Sequence, residues 1–429
     1  MRKSMWICIP LLVVLSACNL PGAVANPTEE NKPTYVSGAL SSEPSLTPFQ
    51  PSNTSTPTNT ATLLPTATIT QTPSPTITRT PTATLIPGGV GPWTFDSHIN
   101  PLTGLSVENV DQLSGRPIAV KISNYPRQIR PQWGLSLADL VFEYYHEGGL
   151  TRFHAIFYGN DANMLGPIRS ARVFDAQLVM AYRSIFTFGS ADERTLNFLF
   201  EHDFDEYLVY PMSNGCPPLC RYDPYGMNHL VSTTAQIEAY IAAHNIPNER
   251  VSLSGMWFHP DVPDFGTAGQ RIYVRYSYAD YNRWIYNTQI GRYLRYQETA
   301  NDNNGLGTNY EPQIDRITGR YLFADNVIVV FVPHEFVIEE TDDRNEVIDM
   351  FFTGVGRAIA FRDGQAYDVC WSHTDPESIL TLMQPSDGEC VPGGYPYPFK
   401  PGTTWFQLVG ETTILRQSGT DWRFEFYIP

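Results

Sequence analysis

Apolar and polar residues alternate with a period of two in several short runs, the spacing of strands with one buried face. Arg116–Ile122 is one such run, and Leu140–His146 and Leu150–Tyr158 are two more, joined at Gly148-Gly149 as a hairpin. Helical composition predicts a helix over Val173–Tyr182, followed by a strand over Ser184–Gly189. A second helix is expected over Ala191–Phe200, with Asp192 and Glu193 at the positive end of its dipole. Thr233 and Gln236 have the spacing of a capping box, so a third helix should run to about His244. Beyond Asn245 the pattern turns to β: Arg271–Tyr278 and Arg283–Gln297 alternate Tyr, Arg, Ile and Trp, broken into a hairpin near Asn287-Thr288 and Gly291. Val327–Val332 is almost wholly apolar, as a central strand would be, and Phe351–Phe361, Gln365–Trp371, Thr403–Val409 and Trp422–Tyr427 read as further strands. The expected class is α+β, with a mixed α/β domain over residues 93–250 and a β-rich domain over 251–429.

Composition changes the picture upstream of this head. From about Pro27 to Pro87 the chain is Thr, Pro, Ser and Asn with few aromatic or charged residues. Such a stretch cannot bury enough apolar surface to offset its chain entropy, so residues 19–92 are expected to be an unfolded, fairly stiff linker. At about 3.1 Å per residue, some sixty residues reach on the order of 150 Å or more when extended. The chain of 429 residues has a formal charge of −16, which argues against nucleic acid as a partner.

The first eighteen residues give the address. Arg2 and Lys3 precede a short apolar run, Ile7–Val14, and Leu15-Ser16-Ala17-Cys18 closes it. The run is too short to span a bilayer. The tetrapeptide resembles the bacterial lipobox, whose cysteine is lipidated and becomes the first residue of the mature chain. Cys18 is thus the expected lipidation site, residues 1–18 the signal peptide, and the location extracytoplasmic on the bacterial cell membrane. Two or three acyl chains anchor stably where one does not, at about 0.8 kcal/mol per buried methylene. Four cysteines remain in the head. In an oxidising compartment, sequence proximity favours Cys216–Cys220 and Cys370–Cys390 as disulfides, with four-thiolate zinc as the competing reading.

Two segments carry a family resemblance. The first holds Gly134-Leu135-Ser136-Leu137-Ala138-Asp139, Glu147-Gly148-Gly149-Leu150-Thr151-Arg152-Phe153 and Gly166-Pro167-Ile168-Arg169-Ser170-Ala171-Arg172. The second holds Asn326-Val327-Ile328-Val329, Gly354-Val355-Gly356 and Lys400-Pro401-Gly402-Thr403-Thr404-Trp405. Together they resemble the YerB-type bacterial lipoproteins, a two-part family of unknown function, from about Asn100 to about Gly410. The resemblance implies an envelope lipoprotein with an N-terminal mixed domain and a smaller C-terminal domain, and no established reaction. Asn228-His229 departs from the His-then-Asn order associated with relatives.

Candidate chemistry is sparse. Arg169 and Arg172 are three apart where a loop should enter a helix, which would put them on one face beside free N–H groups. With Arg152 they form a candidate anion cradle, and the competing reading pairs them internally with Asp139, Glu143, Glu147 or Asp175. Those same carboxylates, Asp139, Glu143 and Glu147, are the candidates for acid–base work on peptidoglycan or related glycans if two of them face each other across a cleft. Ser213-Asn214-Gly215-Cys216 faintly echoes an L,D-transpeptidase loop, but Asn214 stands where that loop has histidine and Cys220 is at hand to oxidise the thiol. The chain has no Gly-x-Ser-x-Gly or His-Glu-x-x-His pattern, and nothing in it calls for a cofactor or metal. Asn301–Gly305 is oxygen-rich but reads as a solvated turn rather than a calcium loop. Trp284, Tyr286, Tyr293 and Tyr296, with Arg283, Arg292 and Arg295 beside them, read as strand packing before a sugar platform. The reading reached is a lipid-anchored binding or scaffold module for an anionic envelope component, either a cell-wall polymer or an envelope protein. The alternative is a cell-envelope enzyme.

Overall fold

Gly148 and Gly149 take positive φ, 59° and 76°, and so turn β2 (Leu140–Glu147) back on β3 (Leu150–Phe157) as the hairpin pattern requires. In this computed structural model, which describes residues 89–211, 215–223, 229–305, 307–338 and 347–427, that hairpin lies within an eleven-stranded sheet. The signal peptide, Cys18 and the linker up to residue 88 lie outside the described residues, as do Ser213, Asn214 and Asn228. β1 (Ile118–Ser123) flanks β3, and β4 (Ile185–Thr187) and β5 (Leu208–Val209) extend the sheet beyond β1 in parallel. On its other side β2 runs parallel to the strand Thr404–Gly410, which in turn runs parallel to Asn326–Val332. Antiparallel strands Gly354–Arg362, Gln365–His373 and Thr381–Met383 follow, and the short strand Thr267–Ala268, paired with Gln365–His373, completes the sheet. Strands from both sides of residue 250 therefore share one sheet, each group forming one side of it, and the two groups join where 404–410 pairs with β2. The two central parallel strands, 326–332 and 404–410, are buried along their whole length, which is why Val327–Val332 reads as an unbroken apolar run, while 404–410 also buries Thr404 and Gln407.

A seven-stranded second sheet, built around Arg271–Arg275, Tyr281–Asn287, Arg292–Glu298 and Asp421–Glu425, covers one face of the large one. The Trp284 and Trp405 rings meet across it at 5.1 Å, and Phe331 and Phe361 meet Phe424. The opposite face is covered by α1 (Val173–Tyr182), whose Phe174 and Tyr182 pack on Tyr144 and Phe142. Alternation along β2 thus sends Glu143 toward the second sheet and Phe142, Tyr144 and His146 toward α1. α2 (Glu193–Phe200) follows β4, capped by Asp192, which accepts the Arg194 N–H at 3.0 Å. α3 (Thr234–Ala243) carries the expected cap, with Thr233 accepting from Gln236 at 2.9 Å. Both expected disulfides, Cys216–Cys220 and Cys370–Cys390, are formed.

One strand boundary needs correction. The strand expected over Phe351–Phe361 begins only at Gly354, residues 351–353 linking it to Val347–Met350, which pairs in a separate hairpin. Trp284 and Tyr293 are buried under the second sheet, and Tyr296 lies beneath Arg283, so these aromatics are packing. Asp302 in the oxygen-rich turn accepts the Gly307 N–H and pairs with Arg275.

Candidate functional site

Arg172 is the residue from which the site grows. It occupies the N-cap of α1, where an oxygen-bearing side chain is usual, and Asp175 three residues on accepts the Arg172 N–H at 2.7 Å, the return half of a capping box. The freed guanidinium forks onto Glu147 at the end of β2, with Nε donating to Oε2 at 2.7 Å and Nη2 to Oε1. Arg169 precedes the helix in an extended segment: its N–H donates to the Lys121 carbonyl on β1, and its own carbonyl accepts from Gly189. Arg169 and Arg172 are therefore neighbours through the sheet, not through a shared helical face, which corrects the spacing argument. Arg152 reaches over from β3 and donates to the Ser170 carbonyl at 2.8 Å.

The three guanidiniums feel one another. Burial, then the charges of Arg172 and Arg169, bring Arg152 down to about 9, and burial with Arg172 lowers Arg169 as well. Burial alone would raise the Glu147 carboxyl, but His146 and Arg172 outweigh it and hold it well below the usual range. His146 is held neutral, by burial first and then by Arg152.

Between the N-termini of α1 and α2 lies a pocket of about 220 Å³, lined by His146, Glu147, Arg172, Asp192, Arg194 and Thr195 among others. The two helices meet there because Ala171 donates to the Ser190 carbonyl and the Ser170 and Ser190 hydroxyls bond at 3.0 Å. Beneath the floor sits a fully buried cluster. Asp175 Oδ1 accepts from Lys121 Nζ at 2.9 Å and from the Tyr144 hydroxyl, and His154 Nδ1 lies 2.8 Å away. Burial pulls Lys121 down to about 7 although Asp175 opposes it, and Asp175 stays ionised because Lys121 and His154 outweigh its own burial.

Of these residues, Lys121, Tyr144, His154 and Arg194 were not foreseen. Lys121 had a signal: a lysine inside Ile118-Ala119-Val120-Lys121-Ile122 must find a buried partner.

The carboxylates proposed for acid–base work do not face one another. Asp139 stands just before β2, Glu143 at its middle and Glu147 at its end, and at about 3.3 Å of rise per residue four residues span on the order of 13 Å. Glu143 is sealed in the core against Arg295, and Glu147 is paired with Arg172. Asp139 is buried and accepts the N–H groups of Tyr158 and Gly159 at 2.6 and 2.9 Å. Burial outweighs those bonds and raises its carboxyl to about 6. A folded-state value above the unfolded one means that wild-type stability falls as pH climbs from about 4 through 6. Asp139→Asn does not titrate, so it should gain on wild type by roughly 2–3 kcal/mol between pH 4.5 and 7.5. Urea midpoints at the two pH values measure this, and a pH-independent difference would contradict it.

Comparison with known proteins places both halves of the head. Residues 102–225 match the family model described as the N-terminal domain of a protein of unknown function (DUF3048), and residues 272–406 match the C-terminal domain of the same family. The Bacillus subtilis (strain 168) protein named "Putative lipoprotein YerB" is 26% identical over 322 residues, covering 72% of this chain and 85% of its own. The crystal structure of YerB from Bacillus subtilis superposes with a TM-score of 0.59 at 24% identity, covering 72% of this chain and 96% of that one, a likeness of fold.

Proposed function

We propose, for a chain that belongs to the DUF3048 family, the role of a lipid-anchored extracytoplasmic module that binds an anionic group of the cell envelope. The anchor would be Cys18, in keeping with the lipobox and with a relative named as a lipoprotein. Residues 19–92 would be the spacer that carries the head, residues 93–429, away from the membrane. The pocket between α1 and α2 would be the binding site. One observation carries this: Arg172 and Arg194 line the pocket where two helix N-termini meet, Arg152 and Arg169 stand close enough to act on Arg172, and the acidic residues among the described lining are Glu147 and Asp192. Its volume suits a single phosphate or carboxylate group of a larger molecule, such as an anionic wall polymer or an acidic segment of an envelope protein.

Glu147 competes with the ligand for Arg172 in this reading. Arg169→Ala/Arg172→Ala should weaken retention of the protein on anionic wall polymer by about tenfold or more, and Glu147→Gln should strengthen it. Binding should also fall as salt rises. Pulldown with purified wall polymer and peptidoglycan, with the supernatant checked for cleavage products, decides the matter. Equal retention of all three proteins would remove the site, and cleavage would favour an enzyme.

A further inference from the structure

A second concavity lies far along the large sheet. It is a groove of about 660 Å³ with Trp257, Val262, Pro263, Phe265, Tyr367 and Tyr397 among its walls. Phe265 is fully exposed although its backbone is held at φ 64°, and Val262 is 55% exposed. Large apolar side chains left out together in this way ask for a cover.

The chain itself enters the fold beside this groove. The described residues begin at Gly89, and Val90 pairs antiparallel with Phe258, N–H to carbonyl in both directions at 2.8 and 2.9 Å. A β-carbon on Gly89 would lie 2.9 Å from Trp257 Nε1 and 3.0 Å from His259 Cδ2, so the chain passes directly over two residues of the groove wall. Continued backward, that register would bring residues 88, 87, 86 and 85 beside 260, 261, 262 and 263. The sequence there is Leu85-Ile86-Pro87-Gly88, an apolar step in a stretch of Thr and Pro. Backbone pairing cannot continue it, because Pro260 has no N–H and Arg362 already binds the carbonyls of 259, 260 and 261. Side-chain contact has to hold it instead, the mode by which aromatic-lined grooves take extended, proline-bearing segments.

We propose that residues 83–88, Ala-Thr-Leu-Ile-Pro-Gly, dock along this groove with Leu85 and Ile86 against Val262 and Phe265. The contact fixes the point and direction in which the tether leaves the head.

The tether carries its own control, since Ala61-Thr62-Leu63-Leu64-Pro65 nearly repeats Ala83-Thr84-Leu85-Ile86-Pro87. In the full chain, a protease that cuts before leucine should cleave Thr84–Leu85 about tenfold more slowly than Thr62–Leu63. In Val262→Ser/Phe265→Asn the difference should shrink to about threefold or less, Asn being tolerant of the left-handed backbone at 265. Val262→Ser alone, with melting curves matched to wild type, gives the same test should the double variant be unstable. Equal cutting in wild type leaves the groove open to some other ligand and overturns the proposal. Slow cutting that persists in the variants overturns it too, because crowding by the fold would then be the cause.

Discussion

Arg295→Met should cost about 3–5 kcal/mol of folding free energy, the loss typical of breaking a buried ion pair from one side. Arg295 and Glu143 are both completely buried between the two sheets, and one Arg295 nitrogen reaches both Glu143 oxygens, at 2.9 and 2.7 Å. Glu143 also accepts from Trp405 Nε1 at 3.2 Å, Gln407 Nε2 at 2.8 Å and Thr151 Oγ1 at 3.1 Å, so its lone pairs are filled. Methionine keeps much of the volume against Trp405 and Phe153 but leaves a carboxylate in the core with no counter-charge. The companion Glu143→Leu/Arg295→Met should recover most of the loss, because replacing both partners removes the unpaired charge. Urea unfolding of the three proteins at pH 7 makes the comparison. A loss below about 1 kcal/mol for the single variant would mean that the pair is effectively solvated.

The same pair shows where reading the chain succeeds and where it stops. Local signals were legible: the β2–β3 hairpin from its glycines, α1 from composition, the Thr233 cap, the apolar run of 326–332, and both disulfides. The lateral order of the sheet was not. Strand 404–410 inserts between β2 and 326–332, and its parallel pairing with β2 crosses more than 200 residues of chain, which leaves no periodic trace. Glu143 and Arg295 lie on strands 152 residues apart, so neither segment announces the other. Arg152, Arg169 and Arg172 were legible as a set because they cluster in sequence. Their geometry was not, since Arg172 proves to be an N-cap and Arg169 an extended residue. Asp192 was visible as an acidic residue at the start of α2, but the meeting of α1 and α2 rests on contacts between residues 171 and 190, which no local rule joins.

Asp175→Ala should be the most damaging change near the proposed binding pocket, and in two separable ways. Asp175 holds Lys121, Tyr144 and His154 through one oxygen and caps Arg172 through the other. Losing the first leaves a buried amine unpaired, for about 3–5 kcal/mol. Losing the second frees the Arg172 backbone N–H and should loosen the guanidinium from its place over the pocket, for about a tenfold loss of anion binding. The pH dependence tells these apart. Lys121 already stands near 7, and it should fall further without the carboxylate that supports it. A lysine depressed in the folded state stays protonated in the unfolded one up to about 10, so stability rises with pH across that window. The Asp175→Ala penalty should therefore shrink between pH 6 and pH 9 as the amine sheds its proton. Lys121→Met/Asp175→Leu should restore most of the stability and lose that pH dependence, yet still bind anions poorly, because the Arg172 cap is not rebuilt. If the double variant binds as wild type does, Asp175 serves the core alone and the pocket owes it nothing.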